Sequence, residues 1–150
     1  KIEAEFNPPR KWILSRKLTY TNPEIDEDAL ERVGVSVKES KITVRKDFVT
    51  DLASVPRMCW AFVAPWDVAR AAIIHDLLYK RIRQYRAEKK KKLGNWEDPK
   101  VIRRAKRAAD NAFNMAMKDA EPSIAGWKIA AAYYSVRMFG RWSIIPRDED

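Results

Sequence analysis

His75 is the only histidine of the chain, and it stands in Ala71-Ala72-Ile73-Ile74-His75-Asp76-Leu77-Leu78-Tyr79, a run of strong helix formers that is apolar almost all round. An imidazole titrates near neutrality and burial disfavours its charged form, so a histidine in such surroundings needs a partner or a task. Asp110 interrupts a second apolar helix pattern further along. Two helices packed side by side bring Asp110 to His75. The chemistry would then be general-base catalysis: Asp110 accepts from one ring nitrogen and fixes the tautomer, and the other nitrogen takes a proton from water. On a helix, His75 and Tyr79 share a face. Asp76 is turned about 100° away and serves a different role. With Asp51 or backbone carbonyls it offers oxygen donors suited to a hard divalent cation, Ca²⁺, Mg²⁺ or Mn²⁺, rather than to zinc. The competing reading is a lone histidine, bonded to a carboxylate and a tyrosine, that only pins helix packing.

These side chains need an α+β scaffold: a small N-terminal antiparallel β-sheet followed by a three-helix unit. Residues 1–150 read as a single domain, with 1–66 as its β and loop part and 67–141 as its helical part. Trp12 to Tyr20 carries strand residues with imperfect alternation, and Thr21-Asn22-Pro23 signals a turn. Acidic Ile25 to Arg32 suits one or two helical turns. Val33 to Val37 and Ile42 to Arg45 alternate and read as a hairpin. Thr50, Asp51 and Ser54 can bond their own backbone in the ordered connection that follows. Asp67 is placed to cap a helix from Val68 to about Lys90. A second helix spans about Pro99 to Asp119, its apolar positions following the 3.6-residue period. A third starts near Ser123, after Pro122, and stops at Gly140. Its Trp127, Ala130, Ala131, Tyr134 and Met138 form a stripe.

Composition narrows the function classes. Thirty Lys and Arg against 21 Asp and Glu give a net charge of +9, which favours polyanions, anionic lipid or an acidic protein face as partners. One cysteine, Cys59, excludes an internal disulfide within these residues, and no Cys/His set suits structural zinc. No apolar run approaches the roughly 20 residues of a membrane span. No charged n-region followed by an apolar h-region opens the sequence, so export by signal peptide is not expected. From Lys80 to Arg107, thirteen Lys and Arg face three Asp and Glu. Arg83, Arg86, Lys89, Lys90, Lys91, Lys92, Arg103 and Arg104 are candidates for a phosphate-tracking or anionic-lipid surface. The alternative is a solvated helical tip. No helix-turn-helix, zinc finger or RNA-binding signature accompanies them.

Four ordered motifs carry a resemblance. Thr50-Asp51-Leu52-Ala53-Ser54-Val55-Pro56-Arg57, then His75-Asp76-Leu77-Leu78-Tyr79, then Ala109-Asp110-Asn111-Ala112-Phe113, resemble a phage-encoded family of unknown function; Tyr133 to Gly140 looks like its C-terminal signature. The resemblance implies a tail- or lysis-associated phage protein, in the virion or the cytoplasm of the infected host, with other phage structural proteins as partners. Locally, His75-Asp76 with Tyr79 and the distant Asp110 is also similar to phospholipase A2. That likeness implies His75 as base, Asp76 as Ca²⁺ ligand, and Tyr79 with Asp110 as support. The segment from Ser54 to Asp67 lacks the glycines of the phospholipase calcium loop. Two functions are therefore expected as alternatives. One is a metal-assisted hydrolase of a lipid ester or amide, with Asp76 and Asp51 as ligands and Thr50, Ser54 and Arg57 in support. The other is a non-catalytic tail or baseplate component in which the cluster only stabilises the fold.

Overall fold

The structure, a computed structural model, describes residues 4–7, 11–52, 54–55, 65–93, 98–121 and 123–150. Its β part holds two antiparallel sheets. β1 (Ala4–Asn7) pairs with β2 (Lys11–Leu14), whose other edge takes β5 (Val49–Thr50). β3 (Leu18–Thr21) pairs with β4 (Lys41–Val44), Tyr20 lying opposite Ile42. Between them sits α1 (Glu27–Glu31), capped by the Asp26 carboxylate, which accepts from the Ala29 amide at 3.2 Å. Three helices follow: α2 (Pro65–Leu93), α3 (Pro99–Lys118) and α4 (Gly126–Phe139), with a closing 3-10 turn at Gly140–Trp142. The α+β order of sheet and then helices is the one expected.

Two strand expectations differ. Trp12 to Tyr20 is not one strand: a bend at Ser15 and Arg16 sends its halves to different sheets. The partner of β4 is β3, not the stretch from Val33 to Val37. Val33, Val35 and Val37 are all buried, as their alternation implies. Alternation reports which face is covered and not which chain supplies the hydrogen bonds. Left-handed backbone at Gly34, Glu39 and Ser40 takes this stretch out of ladder geometry, leaving one isolated bridge between Lys38 and Lys41.

Helix α2 starts at Pro65, before the expected Val68, because proline at the first helical position has no amide to satisfy. Asp67 is therefore inside the helix. Its last turn carries Lys90, Lys91 and Lys92, favourably placed at the negative end of the helix dipole. Asp98 caps α3, accepting from the Lys100 amide at 2.9 Å, with Pro99 next. Ile102, Ala105, Ala109, Ala112, Phe113 and Met117 turn inward from α3, against Ile74, Leu78 and Ile82 of α2 and Ile129, Ala132 and Val136 of α4 in one core cluster. Small alanines let the helix axes approach closely. The β3–β4 sheet is tied on by Tyr20, which donates to Asp119 at 2.6 Å, and by Arg70, which donates to the Thr19 carbonyl at 2.6 Å.

Candidate functional site

Asp110 is the centre of the site. It sits on the inner face of α3 and is fully buried, with donors from three helices around it. Its Oδ1 accepts from His75 Nε2 at 2.8 Å and from the Tyr79 hydroxyl at 2.6 Å, both on α2. Its Oδ2 accepts from Lys106 Nζ at 2.8 Å, one turn back on α3, and from Arg137 Nη1 at 2.9 Å, on α4. Lys106 also donates to the Val136 carbonyl at 3.0 Å. Burial alone would raise the pKa of Asp110, but the hydrogen bond and charge of His75 and those of Lys106 outweigh it and bring the carboxyl down to about 2. The same carboxylate acts on Tyr79 in the opposite sense: burial, and then the Asp110 charge, push its phenol well up.

The imidazole is saturated. A carboxylate can only accept, so Nε2 carries a proton toward Asp110, and Nδ1 is hydrogen-bonded to Ser54 Oγ, 3.0 Å away. Ser54, His75 and Asp110 thus form a line from hydroxyl to imidazole to carboxylate. Tyr79 and Phe113 cover the ring, with centroids 4.0 and 4.9 Å from it. Ser54, His75, Tyr79 and Asp110 all have 0% exposure.

Asp76 faces the other way, as its helical position requires. Its Oδ2 accepts from the Thr50 hydroxyl at 2.5 Å, and Thr50 Oγ1 in turn accepts from the Leu52 amide at 3.0 Å. Leu52 holds a left-handed backbone, φ 57°, which costs a branched residue on the order of 1–3 kcal/mol. Thr50 and Asp76 hold the chain in that turn. Burial raises the pKa of Asp76; the Thr50 hydrogen bond opposes this, and the Asp51 charge adds to the rise. Asp51 pairs with Arg147 at 3.5 Å.

A cavity of about 210 Å³ beside Asp76 is lined by Lys11, Lys80, Arg83 and Arg147 as well as Asp51 and Glu149. Among the described residues no group of three or more His, Cys, Asp or Glu side chains is arranged to hold a metal ion. Asp76 and Asp51 instead share their surroundings with four cationic side chains, a donor set that fits a divalent cation poorly.

The basic candidates divide. Arg83 is buried; it donates to Asp150 at 3.0 Å and to the Ser143 carbonyl at 3.2 Å. Arg86 donates to the Ile144 carbonyl at 2.7 Å. Both fasten the C-terminal segment. Arg104 pairs with Asp28 at 2.9 Å, and Lys92 with Glu88 at 2.6 Å. Lys89 stands over the Tyr85 ring, while Lys90 and Lys91 belong to the last turn of α2. Arg103 joins a cavity of about 310 Å³ lined by Lys100, Arg103, Arg104, Lys106, Arg107 and Arg137. Arg57, Cys59 and Trp96 lie outside the described residues. Lys106 and Arg137 were not singled out by sequence. The four-residue spacing of Lys106 from Asp110 is the available signal; Arg137 stands within the Tyr133-to-Gly140 motif, but only the tertiary structure brings it to Asp110.

The fold and site define an α+β protein organised around a buried histidine–carboxylate centre. A family model described as protein of unknown function (DUF1353) matches residues 29–136, and the chain belongs to that family. Neither the curated proteins nor the solved structures contain a significant match.

Proposed function

We propose that the chain is a non-catalytic component of a tailed-phage particle, in which the buried cluster joins the segment from Thr50 to Ser54 and three helices into one body. The phage assignment rests on the resemblance of the four motifs to phage-encoded proteins. The non-catalytic assignment is carried by one observation: Ser54, His75, Tyr79 and Asp110 are completely buried, with both imidazole nitrogens already bonded. Neither nitrogen is left to take a proton from water. A carboxylate already shared by Lys106 and Arg137 also has less to offer a developing imidazolium than one facing His75 alone.

The line from Ser54 to His75 to Asp110 favours a second reading, a covalent hydrolase. In it Ser54 Oγ would attack an ester or amide carbonyl, His75 Nδ1 would take the hydroxyl proton and pass it to the leaving group, and Asp110 would hold the ring. A serine-reactive fluorophosphonate probe, applied to the wild type and Ser54→Ala, separates the two when paired with thermal melting of His75→Ala. The proposed role predicts no labelling at Ser54 and a variant that melts early. Labelling that requires both Ser54 and His75, in a His75→Ala protein that melts like the wild type, would replace it with the hydrolase.

A further inference from the structure

Helix α4 carries apolar residues on two opposite sides but buries only one of them. Ile129, Ala132 and Val136 enter the core. On the opposite side Trp127, Tyr134 and Met138 are each 63% exposed, and beyond the helix Trp142 and Ile145 are exposed as well. A soluble surface helix ordinarily shows polar residues there. The stripe seen in the sequence therefore faces outward.

Charge decides what can cover it. No Asp or Glu occurs between Ser123 and Arg147, while Lys128, Arg137 and Arg141 border the apolar stripe. Lys128 stands over the Trp127 ring at 5.7 Å and Arg141 over the Trp142 ring at 4.3 Å. Arg137, about 60° round the helix from Tyr134, opens into the cavity lined solely by basic side chains. Among those, Lys100, Arg103 and Arg107 make no ion pair with the described residues, so their charge is available to an incoming anion. A second copy of this face would bring like charges together. Aromatic, methionine and isoleucine side chains fringed by cations match the acyl–headgroup boundary of an anionic bilayer, where rings and aliphatic groups enter and basic side chains meet phosphate.

We infer that the α4 face docks on an anionic phospholipid surface, with Tyr134, Met138 and Trp142 entering the boundary and the basic cavity taking a lipid phosphate. This inference is independent of whether the His75 cluster is catalytic. The test is co-sedimentation of the full chain with vesicles of phosphatidylcholine, and of phosphatidylcholine mixed with phosphatidylglycerol. Two surface variants accompany it, Tyr134→Ser with Met138→Ser, and Arg103→Gln with Arg107→Gln, each checked for a wild-type circular-dichroism melt. Binding to the mixed vesicles alone is expected, weakened roughly tenfold or more by either pair of changes. Absence of binding to the mixed vesicles overturns the inference. So does binding that ignores Tyr134 and Met138, together with tight single-stranded oligonucleotide binding lost in the arginine variant, which would assign the surface to nucleic acid. A wild-type dimer in sedimentation equilibrium that the Tyr134→Ser, Met138→Ser variant converts to monomer would assign the face to self-association instead.

Discussion

Replacing Asp110 with asparagine removes the one carboxylate shared by His75, Tyr79, Lys106 and Arg137. The amide keeps one acceptor oxygen and turns an NH₂ group toward donors. Removing one partner of a buried ion pair costs about 3–5 kcal/mol. The Arg137 side chain is 29% exposed and keeps some water, so the lower end, about 3 kcal/mol, is expected at neutral pH. For a chain of this size that lowers the melting temperature by roughly 6–12 °C. The loss must also depend on pH. Asp110 has a folded pKa of about 2 against an ordinary 3.8, so between those values the unfolded chain binds more protons. Its contribution is fully present above the unfolded pKa and is lost as pH falls through the folded one. The shift corresponds to about 2 kcal/mol, of which roughly half is gone by about pH 3. Urea unfolding of the wild type and Asp110→Asn, followed by tryptophan fluorescence from neutral pH down to about 3, should therefore show a gap that narrows on acidification. A gap under about 1 kcal/mol at neutral pH, or one constant across the series, would refute the carboxylate as the charged centre of the fold.

Three further outcomes follow from neighbouring contacts. A Cβ at residue 140 would collide with the Tyr79 hydroxyl and approach its Cζ to 3.1 Å, so Gly140→Ala should cost about 1–3 kcal/mol in urea unfolding. Combining it with Tyr79→Phe should cost less than the sum of the two changes. Thr50→Val removes the hydroxyl that Asp76 accepts from and that holds the turn at Leu52, costing about 1–2 kcal/mol. Because burial raises the pKa of Asp76, and its protonated form has less need of that bond, the deficit should shrink as pH falls through the raised value; a deficit that grows would contradict this. Calorimetric titration of chelator-treated protein with Ca²⁺, Mg²⁺ or Mn²⁺ should give no saturable heat, whereas micromolar binding abolished by Asp76→Asn would restore a cation role for that carboxylate.

Local rules reached the helices and the heart of the site. Four-residue spacing put His75 and Tyr79 on one face, and the interruption of an apolar stripe singled out Asp110; the structure joins all three. The 100° turn between neighbours separated Asp76 from His75, and Asp76 meets Thr50 instead. The local backbone bond expected of Thr50 is present at the Leu52 amide, but Ser54 reaches His75 across 21 residues of sequence. Strand pairing was less legible, because the valines from Val33 to Val37 alternate without reporting a partner. The basic run misled in part for a related reason. Arg83 and Arg86 look like their exposed neighbours, and only the return of the C-terminal segment buries or engages them.

The donors around Asp110 are spread unevenly along the chain. Lys106 is four residues away, whereas Arg137, Tyr79 and His75 are 27, 31 and 35 residues away. The Lys106–Asp110 pair can form as soon as α3 winds, before any other helix arrives. The carboxylate thus travels into the interior with its counterion attached, and the desolvation of a bare charge is not confronted at the moment of docking. Moving that lysine off the face should slow folding more than it speeds unfolding, so the internal ion pair leaves its mark on the route to the native state as well as on the state itself.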